Sequence, residues 1–221
     1  MFFFSKEELL FVREGVLKGI RIDLREALES RSTQISTVEN PQADGSVFVS
    51  RGHTKLSVSY QFKESADSLL ELKLIKNKED FKEKILDLEK IPETLRRQIE
   101  NWLTQFKVGL RVDCEIVNDD GNVYETFVFG LRHLLRKVSV PILGDLEKTI
   151  ESGIVLPEIK TICLFGNVCV VDPLKIEEES CDSSVIAVVE NGKIRNMWTN
   201  KCGAIDLLLI RRLISNLFIK E

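Results

Sequence analysis

Short segments of alternating apolar and polar residues, cut by turn residues and interrupted twice by helical periodicity, constrain this chain most. From Thr54 to Phe62 the residues Leu56, Val58, Tyr60 and Phe62 share one face, as a half-buried strand requires. Thr33 to Val38, Ser46 to Val49 and Leu69 to Ile75 carry the same period. Asp44-Gly45 and Arg51-Gly52-His53 supply turns, and together these segments predict an antiparallel meander. Val108 to Val117 is a further strand. Ile159 to Phe165 and Val168 to Val171 flank Gly166-Asn167, and Ser184 to Val189 and Lys193 to Trp198 flank Asn191-Gly192, so each pair predicts a hairpin.

Helical spacing marks the intervening segments. Ser5 caps a predicted helix to Lys18, with Leu9, Val12 and Val16 on one face and Gly19 ending it. Leu86, Ile91, Leu95, Ile99 and Trp102 predict a pair of amphipathic surface helices separated by Pro92. Asn118 to Asn122 is a turn with Asn122 as a candidate N-cap, followed by a helix from Val123 to about Lys137 that buries Val123, Phe127, Leu131, Leu134 and Leu135. Residues 139–157 read as a connector, and Ile205 to Ile219 as a closing helix. The order strands, helix, strands, helix predicts an α+β fold of mostly antiparallel sheets with helices packed on them. It covers 1–221 as one domain with a first half at 19–141 and a second at 157–221.

Charge narrows the function. With 31 basic and 35 acidic side chains the net charge is −4, against a free-standing nucleic-acid binder, which needs a basic face. No apolar run is long enough to span a bilayer, and Met1-Phe2-Phe3-Phe4 lacks the basic start of a secretory leader, so a soluble intracellular protein with no membrane partner is expected. Five cysteines without a CxxC pair read as reduced thiols, Cys163 and Cys169 as small buried hydrophobes, and neither His53 nor His133 has zinc-ligand spacing. His53 reads as a solvated turn residue and His133 as structural. Asp119-Asp120 reads as turn chemistry, and Glu177-Glu178-Glu179 as a solvated acidic turn rather than a metal site.

Three separated motifs resemble the RNase PH family, and within it the ring subunits of the RNA exosome. Arg21-Ile22-Asp23-Leu24-Arg25 with Arg31 is similar to the family's R-x-D-G-R…R and continues into Ala43-Asp44-Gly45-Ser46 and Gly52-His53-Thr54. Asp113 to Asn122, then a helix and Val140-Pro141, resembles D-x-x-x-L-x-x-D-G-N. Val171-Asp172-Pro173 with Glu177-Glu178 resembles V-D-P-x-x-x-E-E. The resemblance implies a duplicated ββαβα fold. Active members degrade RNA 3′→5′ by phosphorolysis, with cations holding phosphate and a carboxylate near the leaving group. Asp182 stands where that carboxylate falls, but in Ser180-Cys181-Asp182-Ser183-Ser184, which departs from the active pattern. No arginine-bearing helix matches the phosphate cradle, and Leu24 replaces the motif's glycine, altering the turn expected there.

The resemblance therefore implies a non-catalytic ring subunit that supports 3′→5′ RNA processing and degradation and lines part of the RNA channel. No catalytic residue, metal or cofactor is assigned to it. The partners implied are other RNase PH-like ring subunits, cap subunits, and RNA passing through the complex, in the nucleus, nucleolus and cytoplasm. Arg21, Arg25, Arg31, Arg96 and Arg97 are the candidate RNA contacts, with salt bridges an equal explanation for the first three and Glu93 and Glu100 beside the last two. The alternative is a phosphate-dependent exoribonuclease using Asp182.

Overall fold

The computed structural model describes residues 4–64, 69–76, 93–142, 145–191 and 193–201. They form two compact units interleaved along the chain. One contains 1–32, 119–125 and the residues from 158 onward; the other contains 33–118 and 126–157. Sequence patterning places the halves end to end at 19–141 and 157–221. In space, the N-terminal helix and arginine segment belong with the second set of hairpins.

In the first of these units, α1 (Lys6–Leu17) opens on a reciprocal cap. The Glu8 N–H donates to Ser5 Oγ, and the Ser5 N–H donates to the Glu8 carboxylate. Gly19, at φ 79°, ends the helix. Strands β8 (Glu158–Phe165), β9 (Val168–Val171), β10 (Ser183–Glu190) and β11 (Lys193–Lys201) form an antiparallel sheet in the order β11-β10-β8-β9, and α4 (Lys175–Ser180) lies between β9 and β10. Val12 and Val16 of α1 pack on one face of this sheet with Cys163, Phe165, Val170 and Cys181, and Ile176 of α4 joins them. Ile162, Leu164, Val171 and Val185 gather on the other face. The predicted closing helix, 205–219, lies outside the described residues.

The other unit is built on β1 (Thr33–Thr37), β2 (Gly45–Arg51), β3 (Thr54–Glu64), β4 (Leu70–Lys76) and β5 (Val108–Asn118), in the order β1-β2-β3-β5-β4. The first three strands form the predicted meander, but β4 does not continue it. It leaves β3 and pairs in parallel with β5, Leu70 opposite Leu110 and Leu74 opposite Cys114. A parallel pair needs a long crossover, and between the two strands the described chain forms α2 (Glu93–Phe106), which buries Leu95, Ile99, Trp102 and Leu103. Leu86 and Ile91 lie outside the described residues.

The central helix α3 (Val123–Leu135) comes close to the sheet at Gly130. A Cβ there would stand 2.8 Å from Val49 Cγ2 and 3.2 Å from Val58 Cγ2, so the absent side chain sets the packing distance. The predicted connector is a strand pair: β6 (Val138–Ile142) runs antiparallel to β7 (Asp145–Ser152). Its charges and Pro141 masked the pattern. Lys148 and Glu151 project to solvent, and a proline is tolerated on a strand with a free edge.

The turn after Ile22 also departs from expectation. Although leucine replaces the motif's glycine, the tight turn survives: the Leu24 N–H donates to the Arg21 carbonyl at 3.1 Å, and Leu24 sits at φ 62° with 85% of its surface exposed. The left-handed conformation strains a branched side chain that packs on almost nothing. The Leu24→Gly variant is expected to be more stable by about 0.5–1 kcal/mol, once glycine's extra chain entropy is subtracted from the relieved strain. Urea unfolding checks this; a less stable variant would show that the leucine side chain carries a contact of its own.

Candidate functional site

The arginines singled out by sequence divide into two groups. Arg96 and Arg97 lie on α2, where Arg96 is half-buried with Glu100 one turn away at 3.9 Å and Arg97 is exposed. Arg21, Arg25 and Arg31 converge in the other unit, on the segment that follows β9. There Asp172 and Glu177 are both fully buried.

Arg21 is 2% exposed, although it sits between two exposed isoleucines, Ile20 and Ile22. Its guanidinium forks onto Glu177, Nε to Oε1 at 2.9 Å and Nη2 to Oε2 at 2.7 Å. The remaining N–H groups donate to the carbonyls of Val171 at 3.1 Å and Asp172 at 3.0 Å. Glu177 Oε2 also accepts the Leu174 N–H at 2.8 Å, closing the first turn of α4. The planar fork of arginine suits this bidentate geometry, which a lysine cannot reproduce.

Arg31 makes the second fork, Nε to Asp172 Oδ2 at 3.0 Å and Nη2 to Oδ1 at 2.8 Å, and its own N–H adds a bond to Oδ2 at 2.7 Å. Its Nη1 reaches the Asp120 carbonyl at 3.0 Å. Arg25 donates to Asp172 Oδ2 at 3.1 Å and to Asp23 at 2.6 Å. Asn122 donates its amide to Asp172 Oδ1 at 2.5 Å and to Glu125 at 3.1 Å. Glu125 in turn accepts Lys160 Nζ and the Thr161 N–H, both at 3.1 Å. With φ at 56°, Asn122 departs from the extended backbone of an ordinary N-cap. Gly121, at φ 84°, permits the loop to lie against α4, since a Cβ there would meet Lys175 N at 2.4 Å.

Burial alone would raise the Asp172 carboxyl. Hydrogen bonds and charge from Arg31, with the Asn122 amide, outweigh it and hold the group well below the usual carboxylate range. Burial likewise works against the Arg31 charge, and Asp172 more than restores it. The predicted solvated acidic turn is thus partly interior. Glu177 is sealed by Arg21, and burial pushes the Glu178 carboxyl up to about 7 against the opposing pull of Lys175. Within this arrangement the three guanidinium groups are committed to internal acceptors.

Asp182, the alternative catalytic group, stands just before β10. Arg13 of α1 forks onto it, Nε to Oδ1 at 3.2 Å and Nη2 to both oxygens at 3.0 Å, and the Gly166 N–H donates to Oδ2 at 2.7 Å. Its partial burial favours the neutral acid, but the Gly166 and Arg13 bonds prevail and lower its pKa. The carboxylate is ionised at neutral pH, with both oxygens engaged and no proton to give. His53 is exposed at its turn, and His133 is exposed near the end of α3.

Asp172, Glu177, Asn122 and Arg13 were not identified from sequence as members of these clusters. Their partners lie far along the chain: Arg21 and Glu177 are 156 positions apart, and Arg13 and Asp182 are 169 apart. The available signal was the count of arginines in 21–31 against the acids in 172–178.

No protein-family model matches the chain, and no curated protein sequence does. Solved structures are similar to it. A chain of the Archaeoglobus fulgidus exosome with RNA bound to the active site aligns over 95% of this chain and 92% of its own, with 18% identity and a TM-score of 0.75. An archaeal exosome core chain aligns over 97% and 94%, with 20% identity and a TM-score of 0.75. Rice (Oryza sativa) Rrp46 aligns over 88% and 91%, with 16% identity and a TM-score of 0.61. The chain has the RNase PH-like α+β fold of exosome core chains.

Proposed function

We propose that this chain is a non-catalytic structural subunit of an RNA exosome core ring. The observation that carries the reading is its alignment with nearly the full length of exosome core chains. Ring subunits of RNase PH type are its partners, cap subunits bind the assembly, and RNA reaches it through the complex in nucleus and cytoplasm. Exposed Leu10 and Phe11 on α1, and Ile20, Ile22 and Leu24 around the buried Arg21, support assembly, because so many large apolar side chains on the surface call for a covering neighbour. The committed state of Asp182 supports a structural role over a catalytic one: a carboxylate held ionised by Arg13 cannot act as general acid. The clusters around Asp172 and Glu177 shape the chain for assembly, leaving any contact with RNA to cations outside them.

Native mass spectrometry of the tagged protein from its own cells tests the assembly. A hetero-oligomer containing other RNase PH-like chains is expected, and a monomer or homo-oligomer would remove the reading. The purified complex carrying Asp182→Asn separates the two roles. Phosphate-dependent RNA degradation within about twofold of wild type is expected, whereas its abolition in an intact complex would establish Asp182 as catalytic.

A further inference from the structure

The stretch from α1 through the arginine segment carries large apolar side chains on its outside. Leu10, Phe11, Ile20, Ile22 and Leu24 are 55%, 74%, 59%, 51% and 85% exposed. α1 turns Val12 and Val16 to its sheet, which leaves Leu10 and Phe11 on the outer side. Leu17, also exposed, stands two turns from Leu10 on the same side of the helix. The Ile20 N–H then donates to the Gly15 carbonyl at 2.9 Å, folding the chain back against the end of α1. At about 200 Å² for a whole residue of this size, the five side chains named first present on the order of 600 Å² to solvent. That supplies the apolar part of a standard interface, to which each partner gives about 800 Å², about 60% of it non-polar.

Leu24 points outward for a second reason. At φ 62° its backbone suits glycine, yet it bears a branched side chain that touches little of its own chain. Strain held at so exposed a residue marks a part played outside the chain's own packing. The surrounding charges define what fits. Glu7, Glu14, Glu26 and Glu29 are exposed, whereas the only exposed cations from 6 to 29 are Lys6 and Lys18. Arg13, Arg21 and Arg25 are held by carboxylates. A second copy docked through the same patch would set acid against acid, and RNA phosphates would meet the same repulsion.

We infer that this surface, anchored by Leu24, docks a different protein chain whose contact face is apolar at its centre and edged with lysine or arginine. The inference rests on the ring reading above, which makes that chain a neighbouring ring subunit. α1 supplies area through Leu10 and Phe11. Leu24, the most exposed of the set, gains most from a partner's apolar atoms. The acids at the edge orient the partner and turn away surfaces of like charge. The free chain tolerates the strain at Leu24 because the compensating burial comes only in the complex.

The test co-expresses the chain with the subunits that native mass spectrometry finds beside it, and measures the concentration at which each complex half-dissociates. Leu24→Gly should raise that concentration about 30-fold or more, the loss expected at a central interface residue. The free variant should unfold at no lower urea than wild type, so weaker docking cannot come from a damaged fold. Phe11→Asp should weaken the complex at least as much. Glu14→Lys with Glu26→Lys should weaken it about tenfold, and the control Val155→Asp, exposed elsewhere, should stay within about threefold. Leu24→Gly and Phe11→Asp complexes as tight as wild type overturn the inference and leave the ring reading standing. A charge-reversed pair that binds equally well, or a free Leu24→Gly chain less stable than wild type, also overturns it. A wild-type chain found alone or only with its own copies overturns both.

Discussion

Replacing Arg21 with methionine is expected to cost about 3–5 kcal/mol, because the fully buried Glu177 carboxylate would lose both arms of its fork. That approaches the whole stability of many domains of this size, so the variant should unfold at much lower urea or fail to accumulate. Methionine fills comparable volume, which makes the stranded charge, rather than a cavity, the main cause of the loss. The double change Arg21→Met with Glu177→Met removes both charges and should recover most of the deficit, since apolar replacement of a buried pair is often neutral. Equilibrium urea unfolding of the single and double variants measures both. A single variant within 1 kcal/mol of wild type would contradict a sealed pair.

Asp172→Asn should cost about 3 kcal/mol and also change the response to acid. Asp172 accepts from Arg25, Arg31, the Arg31 backbone and Asn122. An amide must turn one donor toward these donors and carries no charge for Arg31. Because the carboxyl is lowered in the folded state, the folded chain binds fewer protons than the unfolded one at acid pH. Its contribution is therefore complete above about pH 4, the ordinary aspartate range, and is lost as pH falls below that through the lowered native value. Unfolding free energy from pH 7 down to pH 2 should fall more steeply for wild type than for the variant. Parallel curves would place the acid sensitivity elsewhere.

The elements that alternate strictly were legible in the sequence, and so was the Ser5 cap, because both are local. Leu56, Val58 and Tyr60 lie on β3 as predicted and are buried. Pairing was not legible. The residues of β4 look the same whether they face β3 or β5, and only the length of 77–107 hinted at a crossover. In β7 the backbone pairing with β6 makes the strand, while Lys148, Thr149 and Ile150 all face solvent, so its side chains carry no alternation to read. The arginine clusters were hidden for a different reason. In Ile20-Arg21-Ile22 the usual polarity is reversed, with the charged residue inside and the apolar ones outside, and the distant Glu177, with the Val171 and Asp172 carbonyls, makes that arrangement stable.

The separation of Arg21 from its acceptors has a consequence for biosynthesis. At translation rates of about 5–20 residues per second, the roughly 150 residues between Arg21 and the Val171–Glu177 segment take about 8–30 seconds to emerge. Throughout that interval Arg21, Arg25 and Arg31, with several apolar side chains around them, wait for Asp172 and Glu177, which have not yet been made. Residues translated early are thus among the last to reach their native places. During that wait a nascent-chain chaperone, rather than the native fold, would have to keep this segment from straying.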